Sequence, residues 1–386
     1  MLAHSPPLPL VIDYECRDIT AKDEKAIILA LEQRDRVRRI RLNLPVLKLQ
    51  KLIMAIDEEY PILEYLILMG LPKDKTTFLT LPETLQTPHL RHLVIDCSIP
   101  IQSPSLGPAA GLVNVDLTLF HPSTYFQPAA LLQSLSLMPQ LEMLLIHFHF
   151  SVPDPDAEGQ LMPMPSMTHI TLPNLRFFTF QSVSAYSEAV LSRLTASRLE
   201  TFQICYPKQP TFSVPELLLF MGRIENLRFD RAKFHFDKRR VYVEVNPPEN
   251  SMSVGVFSIT VHCWPLDWQV YSVAQIFNAL SQIFSAVEHL TLAHKVYGWS
   301  SRVVDRTEWR KLLRSFSNVK HLHVHLGLVV ELSRCLQLDG GEHPMELLPK
   351  LQELSYPGIV DPNVFTSFID ARQDAGRPVT LIKSWN

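Results

Sequence analysis

The chain has 386 residues, of which 46% are hydrophobic, and its 36 basic and 39 acidic side chains give a formal net charge of −3. This near balance excludes a general electrostatic attraction to nucleic acid or to anionic membranes, so we expect neither as a partner. No run of about 18 apolar residues occurs, so no membrane span is expected. The five cysteines are far apart and never in C-x-x-C spacing, which is typical of reduced thiols in a cytoplasmic or nuclear protein.

The first predicted element is a strand-like run that begins within about ten residues of Met1. The next segment, ITAKDEKAIILALEQ, predicts a helix, because Thr20 is a candidate N-cap and Asp23 follows it as in a capping box. Later segments with helical spacing are VLKLQKLIMAID, PAALLQSLSLM, SAYSEAVLSRL, VAQIFNALSQIF, RTEWRKLLRSF and DPNVFTSFIDA. The Pro- and Ser-rich connections 98–111 and 152–168 are predicted to be irregular.

A short motif with apolar residues spaced as L-x-x-L-x-L returns along the chain. It reads YPILEYLIL, TPHLRHLVI, MPQLEMLLI, LPNLRFFTF and LPKLQELSY. The first apolar positions of the successive units are Val37, Leu63, Leu90, Leu112, Leu141, Leu175, Leu199, Ile224, Val254, Val287, Val319 and Leu351. The spacing of roughly 22 to 34 residues is the signature of leucine-rich repeats.

The motif has a simple physical meaning. Its fourth and sixth positions alternate along a short strand and point to one side, and each strand buries that side only when it is stacked between neighbours. The sequence therefore predicts an α/β fold: a leucine-rich-repeat-like solenoid, an irregular horseshoe with a parallel concave sheet and mixed helices and loops on the convex side. Residues 1–386 are predicted to form one solenoid of about twelve repeats.

The segment 233–263 departs from the repeat pattern. The sequence KFHFDKRRVYVEVNPPENSMSVGVFSITVHC alternates apolar and polar residues on both sides of the turn NPPENS. It predicts a β-hairpin insertion that replaces a helical connection. The repeats before it are shorter than those after it, but we expect no division into separate domains.

Three segments carry a family resemblance: PLPLVIDYECRDITAKDEKAIILALEQRDRVRRIRL, LSLMPQLEMLLIHF and WQVYSVAQIFNALSQIFSAVEHLTL. They resemble the leucine-rich-repeat region of F-box-type proteins of mushroom-forming fungi. In that family an F-box recruits the Skp-type adaptor of a cullin ubiquitin ligase, and the repeats hold the substrate. The strand-like run so near Met1 leaves no room for an F-box, so we expect adaptor binding only if an F-box exists upstream.

The sequence contains no G-x-S-x-G, G-x-x-x-x-G-K-[ST], H-E-x-x-H or G-x-G-x-x-G motif, which removes the common enzymes that carry them. We predict no enzyme, catalytic residue, metal or cofactor. Histidine is the one enriched candidate. HLHVHL places His321, His323 and His325 on one side of a strand, with His289 equivalent to His321 one strand earlier and Glu353 one strand later. Three interpretations stay open: exposed polar positions on a binding sheet, a pH-sensitive contact patch, or a metal-binding or enzymatic His/Glu site.

The outward positions of the predicted strands form the candidate binding surface. Its middle, from Tyr65 to Phe177, is unusually apolar, and exposed apolar clusters mark partner sites. The competing interpretation is that a connecting loop folds over these side chains. The predicted residues that contact a protein substrate or partner are Tyr65, Ile67, His92, Met143, Leu145, Phe177, Arg228, His289, His321, His323 and Glu353.

Two other motifs were weighed as ligand sites. HFHF at 147–150 alternates His with Phe, and we interpret it as packing at a strand end. RDRVRRIRL at 34–42 places Arg39 and Arg41 outward, with Arg36 and Arg38 nearby. A solvated face is one interpretation of that run, and an acid- or phosphate-binding patch is the other.

Overall fold

The computed structural model describes residues 8–71, 81–82, 84–96, 109–120, 122, 125–149, 169–207, 209, 211–224, 229–248, 255–294, 305–338, 343–361 and 363–384. The fold is mixed α/β with a large, mostly parallel sheet, as predicted. The chain divides into two units, Met1–Arg198 and Leu199–Asn386. No helix within the described ranges has both the length and the apolar character needed to cross a bilayer.

The first unit is built on parallel strands whose order in the sheet follows the order in the chain. Its described strands are β1 (Leu10–Glu15), β2 (Val37–Pro45), β3 (Tyr65–Leu71), β4 (His92–Asp96), β5 (Asn114–Leu119), β6 (Met143–Phe148), β7 (Ile170–Thr171), β8 (Phe177–Gln181) and β9 (Leu194–Thr195). All of them except β7 and β9 form one parallel sheet. β7 and β9 pair with each other.

Helices connect several of these strands. They are α1 (Ala21–Leu31), α2 (Val46–Ile53), α3 (Pro128–Ser136) and α4 (Ser184–Leu191), and all four were predicted from helical spacing. The predicted cap of α1 is present, since the Thr20 hydroxyl accepts a hydrogen bond from the Asp23 N–H (3.1 Å) and donates one to the Asp23 carboxylate (2.8 Å). The first of these bonds satisfies a backbone donor that a helix start otherwise leaves unpaired, and the second orients the Thr20 hydroxyl.

The second unit contains the remaining elements. Its described strands are β10 (Thr201–Tyr206), β11 (Arg231–Phe236), β12 (Val241–Asn246), β13 (Val256–Val261), β14 (His289–His294), β15 (His321–Val324), β16 (Glu353–Pro357) and β17 (Thr380–Ser384). Its described helices are α5 (Pro215–Gly222), α6 (Leu266–Ala279), α7 (Ser281–Phe284), α8 (Arg306–Arg314), α9 (Val329–Leu336) and α10 (Thr366–Asp374). Helical spacing predicted α6, α7, α8 and α10, whereas α5 and α9 were missed.

The stretch 233–263 differs from its prediction in one respect. The strands on either side of the NPPENS turn, β12 and β13, are antiparallel as predicted, but β12 also pairs antiparallel with β11. The three strands are part of the sheet, in the order β10-β13-β12-β11-β14. Because β12 runs in the opposite direction, β11 and β13 both run parallel to their outer neighbours.

The repeated apolar positions form the core. Eleven of the twelve predicted anchor residues lie in described segments and are buried, and Val254 lies outside those segments. In the fifth unit Leu141, Leu144 and Ile146 are at most 1% exposed, and the residues between them keep part of their surface in solvent. One side of each strand therefore supplies the core, and a buried side chain of this size contributes roughly 1.5–3 kcal/mol.

We expect Leu144→Ala to lower the free energy of unfolding by about 2–5 kcal/mol, because the substitution removes buried surface and leaves a cavity. Glu142→Ala, at an exposed position just before the same strand, is the matched control and should change it by no more than about 0.5 kcal/mol. Urea denaturation measures both values. A neutral Leu144→Ala would show that the register of β6 is wrong.

A buried guanidinium holds one loop of the second unit. Arg372 on α10 is 0% exposed. It donates hydrogen bonds of 3.1 to 3.4 Å to four backbone carbonyl groups, those of Pro344, Leu348, Pro349 and Leu351. Irregular backbone carries carbonyl groups that no strand or helix satisfies, and each such group is costly to bury unpaired. The planar fork of arginine satisfies several of them at once.

Replacing Arg372 with Met should lower the free energy of unfolding by at least about 3 kcal/mol, because the carbonyl groups lose a charged donor while they stay buried. Arg372→Lys should recover only part of this loss, since an ammonium lacks the fork. The neighbouring exposed Asp374→Ala serves as the control. Equal stability of the Met variant and the wild type in denaturant titrations would refute this role.

Candidate functional site

The side of the sheet opposite the core carries the outward side chains, and we call it the open face of each unit. In the first unit α4 lies on the core side, where the Tyr186 ring is 5.3 Å from that of Phe148 and 5.8 Å from that of Phe180. The first-unit open face has two adjacent rows, which the strand register defines. One row is Tyr65, His92, Asn114, Met143 and Phe177, and the other is Ile67, Val94, Asp116, Leu145 and Thr179.

Six predicted partner-binding residues fall in these two rows: Tyr65, Ile67, His92, Met143, Leu145 and Phe177. All six are half-buried. Each side chain is flanked by its neighbours on adjacent strands, which lie roughly 4.8 Å away. Apolar side chains therefore line both rows and keep access to solvent, and Asn114 and Asp116 on β5 are polar positions between β4 and β6.

Aromatic contacts order one end of the first row. The Tyr65 and His92 rings are stacked with 4.3 Å between centroids and 2° between planes. The Arg39 guanidinium lies 5.7 Å from the Tyr65 centroid, within the range of a cation–π interaction. Burial, and secondly the charge of Arg91, lowers the pKa of His92. The lowered pKa favours the neutral form of the His92 imidazole in its stack on the Tyr65 ring.

Polar groups that the sequence analysis did not select adjoin these rows. Asp96 and His147 occupy the next outward positions on β4 and β6, and Asp116 lies in the second row. Burial raises the pKa of both carboxyl groups, and the charge of Asp96 raises that of Asp116 further. Burial lowers the pKa of His147. Extending the outward register to a third position per strand would have found Asp96 and His147.

The arginine-rich run is occupied by internal partners. Arg41 lies 3.4 Å from both Asp13 and Glu15, and Arg38 lies 2.9 Å from Glu64. Arg36 donates to a backbone carbonyl at 3.2 Å, and Arg39 contacts Tyr65. Because Arg38 and Arg41 already pair with acidic groups, the geometry gives no support to a phosphate-binding patch.

The second-unit open face contains the predicted histidine row. The register pairs His289 with His321 and His321 with Glu353. The two imidazole rings are stacked, with centroids 4.5 Å apart and planes 7° apart. The His321 Nδ1 atom lies 3.5 Å from the Glu353 carboxylate, and the His289 Nε2 atom lies 3.9 Å from that of Asp230. The spacing in the sequence thus gave the correct alignment.

His323 lies beside this row. Its Nδ1 atom is 2.7 Å from the hydroxyl of Ser355, and its ring is 5.1 Å from that of His325. Burial is the main cause that lowers the pKa of His289, His323 and His325. Neighbouring positive groups lower these values further: His321 acts on His289, and Lys233 acts on the other two.

Arg228, the remaining predicted residue, lies at 225–228, outside the described residues. The strand beside β14 is β11, which brings Arg231, Lys233 and His235 next to the histidine row. The sequence analysis missed these three residues because it took the strand before β14 to be β13. The alternation of polar and apolar residues in KFHF (233–236) was the sequence signal for this strand.

Among the described residues, no group of three or more His, Cys, Asp or Glu side chains is placed so that it could hold a metal ion. Burial raises the pKa of Cys205, an outward thiol on β10, to about 12, so this group stays protonated and is a poor nucleophile. The metal or enzymatic interpretation of the His/Glu cluster gains nothing from this geometry.

Comparison with known proteins adds no family to these observations. No family model matches the chain, and no curated protein matches it. The resemblance to fungal F-box proteins therefore stays a prediction.

The lowered histidine pKa values make stability depend on pH. Because the unfolded chain binds these protons more readily than the folded chain, the contribution of these groups is complete above about pH 6.5 and is lost as pH falls below it. Replacing His323 and His325 with Asn removes two of these groups. We expect this variant to lose less free energy of unfolding than the wild type between about pH 7.5 and pH 5.

Urea denaturation at several pH values measures the difference between the two proteins. The comparison cancels the contributions of Asp96, Asp116 and the first-unit histidines, which are present in both. Parallel curves of stability against pH would show that the second-unit imidazoles titrate alike in the folded and unfolded chain.

Proposed function

We propose that the chain is a non-catalytic protein-recognition module, a leucine-rich-repeat-like solenoid whose open face binds a protein partner. The observation that supports it is the pair of half-buried rows on the first-unit open face, with Tyr65, Met143 and Phe177 in one of them. Side chains packed under a folded loop would be as buried as the inward residues. These rows keep solvent access, which favours a surface that a partner covers.

Physical chemistry supports this use of the rows. Aromatic and thioether side chains offer a large contact area, and aromatic residues dominate the energetics of protein interfaces. The stack of Tyr65 on His92 holds part of this area in one orientation before a partner arrives. Less side-chain freedom is then lost on binding, which favours affinity.

The resemblance to the F-box family extends the proposal to a process. In that setting the module holds the substrate of a cullin-type ubiquitin ligase, and a Skp-type adaptor is bound only through an F-box upstream of the repeats. The repeat motif and the three quoted segments carry this part of the proposal. No observation favours an enzyme, so we propose no second function.

We expect Tyr65→Ala combined with Phe177→Ala to weaken partner binding by at least about 100-fold, because two interface aromatics are lost. The partner is captured on the immobilised wild-type chain, identified by mass spectrometry, purified and titrated by calorimetry. The control combines Leu29→Ala with Leu47→Ala, two exposed leucines of α1 and α2 that are 47% and 70% exposed. The control should bind like the wild type.

Melting temperatures are measured on the same preparations. We expect the aromatic variant to melt within about 4 °C of the wild type, since its substituted side chains lie outside the core. A larger drop would place these side chains under a folded segment. Binding equal to that of the wild type would show that the partner does not contact them. Either result would contradict the proposal.

A further inference from the structure

We propose that the second-unit open face binds an acidic protein segment and takes up protons as it does so. The proposal rests on the proposed function and adds the chemistry of a partner. It concerns five imidazoles grouped on and beside three strands: His235 on β11, His289 on β14, His321 and His323 on β15, and His325 just after β15. We call this group the imidazole cluster.

The cluster is contiguous. The rings of His289 and His321 are stacked at 4.5 Å, and those of His323 and His325 meet at 5.1 Å. The register places His323 beside Thr291 on β14 and Thr291 beside Lys233 on β11. His235, two residues along from Lys233, has its ring 6.2 Å from that of Tyr242 on β12. Several potential positive charges thus share one surface.

The permanent charges around the cluster cancel. The cationic groups are Arg231 and Lys233 on β11 and Lys320 just before β15. Arg240, just before β12, acts on Tyr242, whose ring lies beside that of His235. The anionic groups that face it from β12, β16 and the residues before β11 and β14 are Glu244, Glu353, Asp230 and Glu288. The net charge of this surface therefore depends on how many of the imidazoles are protonated.

Protonation changes this surface from balanced to strongly positive. With four permanent charges of each sign, the five imidazoles add up to five positive charges. Burial and neighbouring positive groups lower the pKa of His289, His323 and His325, so these groups are mostly neutral at neutral pH. A carboxylate brought beside them favours the charged form, so binding and proton uptake strengthen each other.

The spacing fits an extended peptide. His321 and His323 lie two residues apart on one strand, which is roughly 6.6 Å, and alternate side chains of an extended partner have the same spacing. A nucleic acid needs many permanent cations to displace its counterions. This surface has as many permanent anions as cations, so an acidic protein segment is the better match.

The test uses a fluorescein-labelled peptide of five Asp-Ser pairs and measures its anisotropy with the full chain. We expect affinity at about pH 5.5 to exceed that at about pH 7.5 by at least roughly tenfold, and to fall as salt is added. His321→Gln combined with His323→Gln should remove most of this gain. The control combines His89→Gln with His169→Gln, two exposed histidines of the first unit, and should retain it. Circular dichroism at both pH values confirms that each protein is folded.

Three outcomes would overturn the inference: equal affinity at the two pH values, equal loss in the control variant, or equal binding of a Lys-Ser peptide. A single-stranded oligonucleotide of the same charge that binds more tightly than the Asp-Ser peptide would overturn the assignment to a protein segment. These results are independent of the first-unit rows. If the peptide fails to bind while the Tyr65 and Phe177 variant still loses its partner, this inference alone is wrong.

Discussion

One-sided burial of short parallel strands is the constraint on which the rest of the structure depends. In β6 and β8 the inward residues Leu144, Ile146, Phe178 and Phe180 are at most 1% exposed. A shift of one residue in either strand would exchange its two sides and bring the apolar set into solvent. The core therefore fixes the register of these strands. The same register aligns the outward residues into rows, although they add little to the core.

This division explains how one fold carries two different surfaces. Outward substitutions away from the core usually change stability by little, so the chemistry of each open face can vary independently of folding. In the first unit the rows are mainly apolar and aromatic apart from Asn114 and Asp116 on β5, with Tyr65 stacked on His92. In the second unit they carry imidazoles, with His289 stacked on His321. Two flat stacks of similar geometry therefore serve surfaces that differ in charge and in response to pH.

Features that follow from local sequence or from the repeat spacing were predicted from the sequence. The apolar anchors and the Thr20 cap follow from spacing along single elements. The row from His289 to Glu353 follows from equivalent positions in successive repeats. The order of β11, β12 and β13 depends on pairing between distant segments, which no window of sequence contains. In the sequence Arg372 resembles a surface residue of an amphipathic helix. It is buried because it donates hydrogen bonds to four carbonyl groups of a loop that is distant in the chain. The solenoid and the F-box resemblance stay predictions, since they concern shape and ancestry.

A partner that covers the first-unit open face shields its side chains from solvent, and hydroxyl-radical footprinting with and without the purified partner measures this shielding. Two methionines of the same unit make an internal comparison: Met143 lies in the apolar row, whereas Met54, 55% exposed, follows α2. The account predicts that the partner slows oxidation of Met143 and leaves that of Met54 unchanged. Protection of Met54 with Met143 still oxidised at its free rate would contradict it.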